Sequence, residues 1–210
     1  MKRLISLVTI AIILSSLLLP LKPVQAASRV DTPEMQVQAL LSRMTTAEKI
    51  GQLFLVTFKG TDVSEKTQIY NLIATGHVGG VILSAANDNF PSGEGSLAAT
   101  QQMIQALQSI NATPVPEEEG TATPSFSYIP LFIGVDQAGN VSPNDQILSG
   151  MTQLPDEMAI GATWNIENAR SAGNVLGQEL NALGVNLFLG PSLDVLGSTS
   201  SAGSQELGVQ

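Results

Sequence analysis

The strongest constraint on this chain is a repeated alternation of short, continuously apolar runs with stretches of helical spacing. The apolar runs are Leu53–Phe58, Val78–Leu83, the run from Pro130 to Asp136, and Val185–Gly190. Runs of this length with no polar alternation read as strands covered on both faces, the condition of strands in a parallel sheet. Residues 63–75, 96–110 and 165–183 between them carry the helical pattern. Strand and helix in strict turn predict an α/β fold built on a parallel sheet. Ahead of the first run, Met35, Val37, Leu40, Leu41 and Met44 share one helical face. Thr45 and Glu48 then fit a capping box that opens a second helix.

The N-terminus obeys another rule. Lys2 and Arg3 precede an apolar run from Leu4 to Leu19, then Pro20 and the small-x-small sequence Val24-Gln25-Ala26. This is the layout of a signal peptide over residues 1–26, leaving 27–210 as the mature chain and predicting export to the periplasm or beyond. An uncut membrane anchor is the alternative, but the run falls short of the ~20 residues of a spanning helix. Cleavage would remove three cations and no acid, taking the formal charge from -9 to -12. Such a surface argues against nucleic acid and anionic lipid, both of which demand clustered Lys and Arg. The absence of cysteine excludes thiolate metal sites. No metal or cofactor is expected.

Two segments break the alternation. Residues 111–127, with Glu117-Glu118-Glu119, are rich in Pro, Thr and Glu and read as a solvated excursion that opens on the sequon Asn111-Ala112-Thr113. Residues 196–210 are rich in Gly and Ser and have no apolar period.

In parallel βα folds, functional side chains gather just past the C-terminal ends of strands. Asp136 and Asp194 hold such positions. Each is read either as a cap bonding nearby backbone N–H groups or, boldly, as half of a glycosidase carboxylate pair. His77 precedes a strand, the wrong end for catalysis, and no nucleophile elbow accompanies it. Gly76, Gly79 and Gly80 lie before or inside a strand, so they form no dinucleotide fingerprint. Trp164 is expected to pack at a helix entrance, with stacking on a sugar ring as the alternative.

Five runs taken in order resemble the N-terminal domain of glycoside hydrolase family 3, above all its β-N-acetylhexosaminidase branch. They are Met44–Leu53, Gly79–Leu83, Ile129–Gln137, the stretch from Leu154 to Thr163, and the stretch from Glu179 to Val195. The resemblance implies the first half of a (β/α)8 barrel, about four βα units, and exo-acting, retaining hydrolysis of β-linked sugars by the complete protein. β-N-Acetylglucosaminides are favoured over β-glucosides. It implies that Asp136 binds hydroxyls of the non-reducing sugar, gives Asp194 no substrate contact, and puts the nucleophile and acid/base beyond Gln210. The chain alone is then expected to be inactive.

Two positions depart from the family pattern. The run Asp136-Gln137-Ala138-Gly139-Asn140 lacks the sugar-binding Arg that usually follows, the next Arg being Arg170, and Gln210 stands where an Arg is usual. Loss of a guanidinium removes bidentate, charge-assisted bonds that Gln or Lys cannot copy. A non-catalytic exported sugar-binding or scaffold protein therefore stays open as the rival. An open flavodoxin-like domain is a third reading.

Overall fold

The computed structural model describes residues 32–113, 128–140, 145–147 and 149–191. The signal-like segment, the triple-Glu run and Asp194 lie outside the described residues. The chain divides into two units, Met1–Ala39 and Leu40–Gln210. The first contributes the opening turns of helix α1 (Pro33–Arg43).

The second unit alternates as expected: α2 (Thr46–Gly51), β1 (Leu55–Val56), α3 (Gln68–Ala74), β2 (Gly80–Leu83), α4 (Ser96–Ala112), β3 (Phe132–Val135), α5 (Glu157–Ala162), α6 (Ile166–Leu183) and β4 (Leu187–Phe188). Helix α2 starts where the sequence places it. The Thr45 hydroxyl accepts from Glu48 N–H at 3.2 Å and the Glu48 carboxylate accepts from Thr45 N–H at 2.7 Å. Helix α5 was not expected from the sequence, since its six residues show too little periodicity to register.

All strand pairs are parallel and the sheet order is β1-β2-β3-β4. A flavodoxin-like sheet reverses direction at a switch point, giving 2-1-3-4-5, whereas a barrel adds strands in chain order. The observed order therefore removes the flavodoxin-like reading and leaves the barrel arrangement.

Strand register sorts the side chains into two faces. Val81, Leu83, Ile133 and Val135 are buried with Ile69 and Ile73 of α3, Met103, Ile104 and Leu107 of α4, and Leu176, Leu180 and Leu183 of α6. On the other face Leu55, Gly80 and Phe132 lie in one row, and Ile82, Gly134 and Leu187 in the next. Odd strands supply the bulky side chains of the first row and even strands those of the second, which is how side-chain layers fill a (β/α)8 barrel. The glycines make room for them. A Cβ on Gly80 would stand 2.6 Å from Phe132 Cβ, and one on Gly134 would stand 2.5 Å from Ile82 Cδ1.

Two expectations need correction. The run Leu53–Phe58 is not a buried strand: only Leu55–Val56 pair, and Leu53 is 82% exposed. The turn leaving α2 takes up residues 53 and 54, whose N–H groups bond back to Ile50 and Gly51, so that only Leu55 and Val56 are left to pair with β2. Trp164 does not pack at a helix entrance. It is 96% exposed, because the turn closed by Trp164 N–H on Gly161 C=O leaves it at φ 51°, pointing into solvent.

Candidate active site

The C-terminal strand ends are linked by side chains into a continuous rim. Buried Asn89 ties the first two loops together. Its amide nitrogen donates to the carbonyls of Phe58 and Gly60 after β1, and its oxygen accepts from Ser84 N–H after β2. Gln146 Oε1 accepts from Ala85 N–H at 2.8 Å, joining the β2 loop to the segment beyond β3. Asp62 in the β1 loop accepts from Ser64 N–H at 2.9 Å, and this bond holds its carboxyl below the usual carboxylate range.

Asp136 stands at the centre of this rim. It follows Val135, the last residue of β3, and is exposed while its neighbours Val135 and Gln137 are buried. Leu189 N–H donates to Val135 C=O at 3.0 Å, so the chain leaving β4 runs alongside. A Cβ on Gly190 would lie only 3.1 Å from Asp136 Oδ1.

The turn after Asp136 is fixed from inside. Gln137, 1% exposed, accepts through Oε1 from the N–H groups of Gln146 and Ile147 and donates through Nε2 to Ile147 C=O. Asp145, 3% exposed, accepts through Oδ1 from Ala138 N–H at 2.6 Å and from Gly139 N–H at 3.1 Å. Gly139 is left-handed at φ 87°, a conformation that glycine adopts without penalty. Asp145 carries no sequence signal of this role, since an acid between Asn144 and Gln146 reads like any solvated loop acid.

Other candidates fall elsewhere. His77 lies ahead of β2, at the opposite end of the sheet, with its carbonyl accepting from Gln52 Nε2. Gly79 and Gly80 permit close backbone approach rather than phosphate binding: Cβ atoms there would stand 2.3 Å from Gln52 O and 2.4 Å from Phe132 O. Asn111 of the sequon donates to Ile129 C=O at 2.7 Å from the last turn of α4. Arg170 pairs with Glu167 on an exposed face of α6. A cavity of about 830 Å³ flanks β4, lined by apolar groups such as Leu154, Ile160, Ala169 and Phe188. Glu157, Trp164, Asn165, Asn181 and Asn186 also line it, but Asp136 does not. Among the described residues no cluster of three His, Asp or Glu could hold a metal ion.

Strands added in chain order, barrel-type side-chain layers and a carboxylate on a braced rim at the strand ends define an α/β protein of the (β/α)-barrel class. The chain belongs to glycosyl hydrolase family 3: residues 45–206 match the family described as Glycosyl hydrolase family 3 N terminal domain. It is 31% identical over 160 residues to a β-N-acetylglucosaminidase/β-glucosidase of Cellulomonas fimi, covering 76% of this chain and 23% of that one. It is 34% identical over 135 residues to a β-hexosaminidase of Thiobacillus denitrificans, covering 61% and 31%. Among solved structures, a family 3 β-N-acetylglucosaminidase from Paenibacillus sp. str. FPU-7 superposes with a TM-score of 0.58 at 32% identity, over 72% of this chain and 25% of that one. The chain thus spans about a quarter to a third of the length of these relatives.

Proposed function

We propose that the complete protein is an exo-acting hydrolase of β-linked glycosides, with β-N-acetylglucosaminides favoured over β-glucosides. One observation carries this reading beyond family membership: Asp136 is an exposed carboxylate on an internally braced turn at a strand C-terminal end. A carboxylate held there accepts hydrogen bonds from sugar hydroxyls without reorganising, and bonds to a charged acceptor are the strong ones. Asp136 binds the terminal sugar. The nucleophile and acid/base of a retaining mechanism come from elsewhere in the complete protein. Residues 1–26 direct export, and residues 27–210 form the N-terminal portion of the barrel. The 210-residue chain by itself has no turnover.

The test is Asp136→Ala in the full-length protein, assayed on aryl β-N-acetylglucosaminides. Loss of one or two charge-assisted bonds lowers kcat/KM about 10- to 100-fold or more. Parental activity would remove Asp136 from the site. A non-catalytic sugar-binding protein is the second reading, favoured by the position of Arg170 on an outward face of α6, where it pairs with Glu167. Calorimetric binding of N-acetylglucosamine with no hydrolysis of any aryl glycoside would select it.

A further inference from the structure

We infer that Asp145 is a positioning residue for substrate recognition, acting through the turn that presents Asp136. This rests on the reading of Asp136 as the sugar-holding carboxylate. A buried carboxylate is costly unless its lone pairs are met. Here they are met by main-chain donors: Ala138 N–H at 2.6 Å on Oδ1, and Gly139 N–H at 3.1 Å on each oxygen. These donors are two and three residues beyond Asp136, and as consecutive main-chain N–H groups they converge on one acceptor, Asp145 Oδ1. The pairing is reciprocal, because Gln137 sends its side chain back to the main chain of Gln146 and Ile147. Residues 137–139 and 145–147 therefore clasp each other from both sides. The segment is anchored further by Gln146 on Ala85 N–H, and Gly139 C=O accepts from Leu154 N–H at 2.7 Å.

This clasp leaves Asp136 as the outward residue of a turn whose next three backbone positions are fixed. A displacement of about 1 Å in a binding group can cost on the order of 10²-fold in rate. Asp145 touches neither sugar nor reacting atoms; its effect reaches the substrate only through the Asp136 carboxylate. That predicts a particular coupling. Removing Asp145 should erase the recognition that Asp136 provides, and should do nothing more once Asp136 is gone.

The experiment is a double-mutant cycle in the full-length protein with Asp136→Ala, Asp145→Ala and the double variant. Each is assayed on an aryl β-N-acetylglucosaminide and on its monodeoxy analogues. The parent should show a large deoxy penalty at the hydroxyl that Asp136 holds, and Asp136→Ala should abolish it. Asp145→Ala should lower kcat/KM by about 10- to 100-fold and shrink the same penalty, and the double variant should be no worse than Asp136→Ala. Asp145→Asn keeps an acceptor for Ala138 N–H and should recover most of the loss. If circular dichroism finds Asp145→Ala unfolded, Asp145→Ser takes its place in the cycle. Its single short hydroxyl cannot reach both N–H groups, so the same loss and reduced penalty are expected. Additive losses with an undiminished deoxy penalty in the Asp145 variant would overturn the inference while leaving Asp136 in its role. Parental behaviour of Asp136→Ala would instead remove the functional reading beneath it.

Discussion

Gly190 closes on the Asp136 carboxylate from the neighbouring strand end: a Cβ at position 190 would stand 3.1 Å from Asp136 Oδ1. Such a contact is tighter than packed side chains normally allow, so Gly190→Ala must push the carboxylate aside by a few tenths of an ångström. The expected outcome in the full-length protein is a raised KM for glycosides with little change in unfolding midpoint. An unchanged KM would mean that the carboxylate has room to retreat without losing its substrate.

Asn89 should be among the most sensitive polar positions. Its side chain is fully buried and satisfies three main-chain groups, at Phe58, Gly60 and Ser84. Asn89→Ala orphans them, and each unsatisfied buried group costs about 1–3 kcal/mol. Urea unfolding should report a loss of at least ~2 kcal/mol. A loss under half of that would mean water replaces the amide.

The glycines divide by what surrounds them. Gly79→Ala would drive a Cβ to 2.3 Å from Gln52 O, a backbone clash that only main-chain movement relieves. Gly173 lies in the interior of α6 with nothing within 4 Å of a Cβ. Gly173→Ala should therefore stabilise by about 0.5–1 kcal/mol, while Gly79→Ala should destabilise severely. Paired thermal melts check both signs at once.

Thr45→Ala removes the hydroxyl that accepts from Glu48 N–H and disables half of the capping box. A cost of about 1 kcal/mol is expected, read as a lower urea midpoint at unchanged slope.

Asp62 should titrate below an ordinary aspartate, because its carboxylate accepts from Ser64 N–H. A depressed folded-state value means that its contribution is present above the unfolded pKa and fades as pH falls through the folded one. An NMR titration reads it directly, and Ser64→Pro, which deletes the donor, should bring the carboxyl back toward its ordinary value.

Much of the fold was legible because its signals are local. Apolar runs and helical spacing located the four described strands and the longer helices. Thr45 with Glu48 announced a helix start that depends on contacts only three residues apart. What escaped was either short or non-local. The six residues of α5 carry too little period, and the apolar run at Leu53–Phe58 gave no sign that a turn would consume its start. Trp164 looked like a packing residue by composition, but a left-handed backbone turned it outward.

The sequence by itself determined the parallel α/β class, the order of its elements and the place of Asp136 at a strand end, since period and chain order are properties of neighbouring residues. Only the tertiary structure decided the strand order that separates a barrel from an open doubly wound sheet. It alone brought Gly190 against Asp136 and committed Asp145 to the turn beside it, rather than to solvent. Those outcomes depend on hydrogen bonds and contacts between residues distant along the chain or joined across a loop, which no local pattern of residue types encodes.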